Sequence, residues 1–236
     1  MSINRFFKEI ANKVLHIFIP VRFVHLFVLL ALILIFRFAY PYTLSIIEQM
    51  GVFVYSMEYI KDLFVFPGHA SFIPALFTSQ FFYLPWIGSI CFSLILWAIY
   101  LMTFRLCRAF HGGVSFSIIL SFLFIVFLSN AFSPTAEFLI NFWALLLNLC
   151  SLFLCVSIGQ KKRKMNGLFL SAIPIIQFIT YWLSGGWFII LSSSFLVYSL
   201  VFLHKKPKII CSILILLGYF AFPWLTYYFA TPQPAL

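Results

Sequence analysis

Long apolar runs alternate with short polar breaks along almost the whole chain. The runs fall at about residues 23–42, 87–104, 114–130, 138–158, 168–183, 187–203 and 209–229. Most approach the roughly 20 residues an α-helix needs to cross about 30 Å of hydrocarbon, whereas a membrane β-barrel shows short segments of alternating polarity. The pattern predicts an all-α, polytopic membrane protein of about seven transmembrane helices, forming a single integral membrane domain over residues 1–236. Ahead of the first run, Ile3, Phe6, Phe7, Ile10, Val14, Ile17 and Phe18 recur at helical spacing opposite Lys8, Asn12 and Lys13, so residues 1–20 read as an interfacial amphipathic helix. No small-residue cleavage site follows the first run at Arg37-Phe38-Ala39-Tyr40-Pro41, so the first span is expected to be retained.

Composition agrees with the pattern: 64% of residues are hydrophobic and 8% charged, with a mean hydropathy of +1.10. The charges are sorted by side. Of the 15 Lys and Arg, all but Arg37 and Lys61 fall in four groups at alternate breaks: Arg5 to Arg22, Arg105 with Arg108, Lys161 to Lys164, and Lys205 to Lys208. Four of the 5 acids, Glu48, Glu58, Asp62 and Glu137, fall in the other breaks. Basic residues are retained on the cytoplasmic face, so seven spans with the N-terminus in and the C-terminus out satisfy every break. The same groups account for the net charge of +10 through cytoplasmic retention and anionic membrane lipid, which leaves no nucleic acid partner to invoke. The five cysteines lie at 91, 107, 150, 155 and 211, without the spacing of a metal site, and read as small apolar packers.

One break is far longer than the rest. Over residues 43–86, Ile46, Met50, Phe53, Met57, Ile60 and Phe64 keep spacings of four and three, which predicts one amphipathic surface helix. Glu48, Tyr55, Glu58 and Asp62 occupy its opposite side. After Pro67-Gly68-His69 a second short helix is expected from about Pro74 to Tyr83, with Pro85-Trp86 entering the second span at the interfacial aromatic belt. The acids either form a solvated face, with Glu58 and Lys61 a weak surface pair, or supply a general base or metal ligand to a cavity.

Two spans carry polar stripes. In the fourth run, positions 137, 141, 144, 148, 151 and 155 read Glu, Asn, Ala, Asn, Ser, Cys, and in the fifth Ser171, Pro174, Gln177, Thr180 and Ser184 share a face. Such faces serve either close helix packing or the wall of a polar cavity, and these two are candidates to meet each other. Arg37, in the last turns of the first span, either snorkels or holds a phosphate or carboxylate. His69 is a lesser catalytic candidate, and Gly112-Gly113 and Gly185-Gly186 read as turns.

The layout of a first span, a long external loop with surface helices and acids, and a further acid in the second external loop resembles the N-terminal module of the GT-C glycosyltransferases. The stretch from Ser56 through Gly88, with Tyr59-Ile60-Lys61-Asp62, Pro67-Gly68 and Tyr83-Leu84-Pro85-Trp86, also resembles an uncharacterised family of bacterial integral membrane proteins. The first resemblance implies transfer of sugar from a polyprenyl-phosphate donor at the external face, with Glu48, Glu58, Asp62 and Glu137 as catalytic candidates and Arg37 or Lys61 on the lipid phosphate. The second implies a multi-pass protein of the bacterial inner membrane. No metal site or other cofactor is assigned. The sequence departs from the enzyme pattern in lacking a tight acidic pair, since three residues separate Glu58 from Asp62. It also ends shortly after the seventh span, without the further spans or external domain common in such enzymes. A non-catalytic membrane subunit and, with less support, a transporter are the competing readings.

Overall fold

The computed structural model describes residues 21–49, 53–65, 67–130, 136–161, 167–202 and 205–230. The interfacial helix expected over 1–20, the turn at Ser133-Pro134-Thr135 and the basic residues Lys162, Arg163 and Lys164 lie outside them. Among the described residues every regular element is helical: α1 (Val21–Phe38), α2 (Pro41–Gln49), α3 (Met57–Val65), α4 (Phe72–Ser79), α5 (Pro85–Ala109), α6 (Val114–Asn130), α7 (Ala136–Lys161), α8 (Gly167–Ser184), α9 (Phe188–Phe202) and α10 (Lys205–Ala230). Short 3-10 turns occupy His69–Ser71, Gln80–Tyr83 and Gly185–Trp187. Among the described residues four segments are long and apolar enough to cross a membrane, namely Val21–Phe38, Pro85–Ala109, Glu137–Ser157 and Ile173–Ile190, while Val114–Ser129 and Ile209–Trp224 are apolar but shorter.

Helix α5 is the axis of the bundle, packing against α1, α6 and α7. Lipid tails are as apolar as leucine, so in such a bundle the helices are held by close packing and interhelical hydrogen bonds more than by removal of surface from water. Two buried clusters result among the described residues. The larger surrounds Phe36, Phe92, Phe138 and Phe142, with edge-to-face ring pairs at 4.6 Å for Phe36 and Phe92 and 4.3 Å for Phe138 and Phe142. The smaller joins Leu106 of α5 to Leu152, Cys155 and Val156 of α7, Ile173 of α8, Phe195 of α9, and Cys211 and Ile215 of α10. Cys155 and Cys211 are buried free thiols that pack in it, as the sequence suggested. Polar clips add register: the Trp97 indole N–H donates to the His25 carbonyl at 2.9 Å, and the His25 ring nitrogen lies 3.0 Å from the Tyr100 hydroxyl.

The first long loop departs from its expected form. The single amphipathic helix expected from Ile46 to Phe64 is two helices, because the described residues Phe53 to Ser56 leave helical geometry between α2 and α3. Tertiary bonds outweigh the helical periodicity there. The Gln80 amide donates to the Phe53 carbonyl at 3.0 Å and accepts from the Tyr55 hydroxyl at 3.0 Å, which ties this stretch to the Gln80–Tyr83 turn. Phe53 is thereby buried. The common stripe of Glu48, Glu58 and Asp62 is broken with the helix: Glu48 sits half-buried on α2, and Glu58 and Asp62 are exposed on α3, none of whose residues is buried.

The loop is anchored across the bundle by two glycines. Gly68 has φ 88° and Gly185 φ 58°, left-handed values that cost an L-residue about 1–2 kcal/mol. A Cβ placed on Gly68 would meet the Gly185 Cα at 2.9 Å. The Gly68 N–H donates at 2.8 Å to the Trp182 carbonyl, one of the last-turn carbonyls that α8 cannot satisfy itself. Tryptophan indoles reinforce the seam: Trp182 donates to the Phe64 carbonyl at 3.1 Å and Trp143 of α7 to the Thr78 hydroxyl at 3.2 Å. A Cβ on Gly186, by contrast, meets nothing within 4 Å. Gly68→Ala is therefore expected to lower stability by about 2 kcal/mol or more and Gly186→Ala to stay within about 0.5 kcal/mol, read as thermal unfolding in one detergent.

Candidate functional site

The anchored loop encloses a cleft of about 310 Å³ at the end of the bundle where α7 begins and α8 finishes. Its floor and one wall come from α7, whose polar stripe brings Glu137, Asn141 and Ala144 to it at successive turns. The opposite wall is the docked segment Pro67, Gly68, His69 and Ser71, and the rim is Ser184 to Trp187. Ser71 is oriented by donating its hydroxyl to the Gly68 carbonyl at 2.7 Å. Trp187 is held by its indole N–H, which donates to the Asn141 Oδ1 at 2.9 Å.

Below the cleft the two polar stripes meet. Asn148, 1% exposed, donates its amide to the Ser184 hydroxyl at 2.8 Å and to the Ala144 carbonyl at 2.7 Å. Its Oδ1 has no partner among the described residues. Further down, Gln177 donates to the Ser192 hydroxyl at 3.0 Å. Gly218 of α10 faces it so closely that a Cβ would lie 2.6 Å from the Gln177 Oε1. The stripes thus divide: their upper residues wall a cleft, and their lower residues are packing faces, with Gln177 bonded to Ser192 across one of them.

The sequence candidates disperse. Glu137 lines the cleft, and His69 lines it with Glu137. Glu48, Glu58, Asp62 and Lys61 are on α2 and α3 and contribute nothing to its lining. Arg37 also lies outside: its guanidinium rests over the Trp86 ring at 5.0 Å and the Phe38 ring at 5.5 Å, with Nε buried and without a hydrogen-bond partner among the described residues. Nor do any three His, Cys, Asp or Glu side chains among the described residues converge as a metal site would require. Ser71 and Trp187 are cleft residues that the sequence reading passed over. The signal for Trp187 was an aromatic directly after the Gly185-Gly186 turn, with a polar N–H able to reach a neighbouring helix.

Among the described residues the cleft presents one carboxylate, one imidazole, an amide, two hydroxyls and an indole, and no lysine or arginine. A carboxylate and amide arranged beside hydroxyls can accept and donate several hydrogen bonds to one small polar ligand, and the indole supplies an apolar surface. A family described as one of unknown function, DUF6057, has a family model that matches residues 16–235. No curated protein and no solved structure matches the chain.

The buried amide beneath the cleft makes a separable prediction. Asn148→Asp places a carboxylate where Asn148 is 1% exposed and is expected to cost about 3 kcal/mol or more, whereas Asn148→Leu keeps the volume, removes the unpartnered Oδ1 and is expected to cost less than about 1.5 kcal/mol. Thermal unfolding of the two variants in the same detergent checks the contrast.

Proposed function

The chain belongs to DUF6057, a family of unknown function, and from that premise we propose that it is a multi-pass membrane protein whose outward cleft binds the sugar-like headgroup of a membrane lipid for transfer. The membrane part of this reading takes α1, α5, α6, α7, α8, α9 and α10 as seven spans, N-in and C-out, in a bacterial inner membrane. The alternation of basic groups with acid-bearing breaks supports that topology. On it, the end of the bundle carrying the cleft faces outward.

The observation that carries the reading is the meeting of Glu137, Asn141, Ser71, His69 and Trp187 around one space. Neighbouring hydroxyls of a sugar ring donate to carboxylate and amide oxygens and accept from amide and hydroxyl groups, while the C–H face of the ring packs on an indole. Without lysine or arginine among its described lining residues, the cleft suits an uncharged polyhydroxy group better than a phosphate. In a transfer step Glu137 is the base: it takes the proton of an acceptor hydroxyl as that oxygen bonds to the anomeric carbon and the donor oxygen leaves with its electron pair. The polyprenyl-phosphate donor implied by the layout needs its phosphate held by Arg37 or Lys61, neither of which lines the cleft. The sugar headgroup is the part of that reading that the cleft's chemistry supports.

Binding of methyl glycosides of glucose, mannose, galactose and N-acetylglucosamine to the full chain in phosphatidylcholine nanodiscs, followed by saturation-transfer NMR, tests this. At least one is expected to bind, with the signal reduced fivefold or more in Glu137→Gln and Trp187→Ala and unchanged in Glu58→Gln. Binding of none, or equal binding in all variants, would favour the non-catalytic membrane subunit.

A further inference from the structure

A second, apolar pocket of about 190 Å³ adjoins the cleft. It is lined by Leu128 of α6 and by Phe138, Phe142 and Leu145 of α7, and it shares Asn141 and Trp187 with the polar cleft. The hydrogen-bonded Trp187 and Asn141 pair is therefore a partition with a polar space on one side and an apolar space on the other. On its far side the apolar pocket lies between α6 and α7. Helix α6 packs on α5, and its residues Phe122, Leu123 and Phe127 are exposed as on a lipid-facing surface.

From this we infer that the ligand is amphiphilic: its headgroup occupies the cleft at Glu137, and the first segment of its hydrocarbon chain crosses the Trp187 and Asn141 partition into the pocket between α6 and α7. A soluble sugar would leave the apolar pocket unfilled, and a phospholipid with a charged headgroup would leave the cleft's carboxylate facing its phosphate. A neutral glycolipid fills both. Contact between chain and pocket adds little over the lipid phase, where the chain is already out of water, so the pocket's contribution is selection and placement of the headgroup rather than bulk affinity. The inference rests on the sugar-binding reading of the cleft and names the class of molecule that carries the sugar.

The test uses the full chain in phosphatidylcholine nanodiscs containing, in separate preparations, glucosyl diacylglycerol or phosphatidylcholine bearing a diazirine in the chain close to the glycerol. After photolysis, adducts are mapped by mass spectrometry, with and without excess methyl glucoside. The glycolipid probe is expected to label the peptides holding Leu128 and Leu145 at least fivefold more than the phosphatidylcholine probe. Leu145→Trp, and independently Leu128→Trp from the other helix, should fill the pocket and reduce that ratio to below twofold. Methyl glucoside should still bind both variants, which separates a filled pocket from a misfolded one. Equal labelling by the two probes while methyl glucoside binds overturns the chain assignment and leaves the cleft reading standing. Enriched labelling that methyl glucoside does not reduce supports the chain pocket and overturns the sugar reading. No enrichment, with none of the four methyl glycosides bound, overturns both.

Discussion

The cleft end of this molecule depends on two backbones passing within contact at Gly68 and Gly185. Each glycine has a positive φ, and each would place a Cβ within 3.0 Å of the other's Cα, so no other residue fits either position without displacing the chain. The contact lets the Gly68 N–H reach the Trp182 carbonyl, which at once satisfies a helix end and pins the long loop to α8. Without it, His69 and Ser71 have no reason to stand opposite Glu137, and the polar stripe of α7 would head into open solvent instead of a cleft.

The same constraint explains how a chain with so few polar residues maintains a polar site. Asn148, Ser184 and Thr180 are buried with hydrogen bonds that run along or between α7 and α8, which fixes the two helices at the cleft floor. Tryptophans complete the arrangement: each of Trp143, Trp182 and Trp187 donates its indole N–H to a group on another segment, so large apolar bodies also supply directional bonds. Trp187 has the further position of belonging to both the polar and the apolar pocket.

Local patterning made much of this legible in the sequence. The runs at 87–104, 114–130, 138–158, 168–183, 187–203 and 209–229 lie within or largely over α5 to α10, because helical periodicity and apolar length are local properties. The polar stripes of the fourth and fifth runs are local patterns as well, and they meet at Asn148 and Ser184. What the sequence hid was long-range. The periodicity from Ile46 to Phe64 is real, yet Gln80, distant along the chain, takes the backbone and side chain of Phe53 and Tyr55 into its own hydrogen bonds and interrupts the helix. Gly68 and Gly185 each look like an ordinary turn glycine, and only their proximity gives them a role. The expected common face of Glu48, Glu58 and Asp62 depended on the uninterrupted helix, and with the helix divided none of the three lines the cleft, which holds Glu137 and His69.

The central claim, that the first loop is locked to the end of α8 and thereby builds the cleft, is tested most directly by hydrogen exchange at the Gly68 amide in the full chain, resolved by fragmentation mass spectrometry. A bond of 2.8 Å to the Trp182 carbonyl predicts exchange slowed by about 100-fold or more relative to an open loop, and faster exchange at this amide in Gly185→Ala. Exchange at the rate of an unstructured peptide in the unaltered protein would contradict the account.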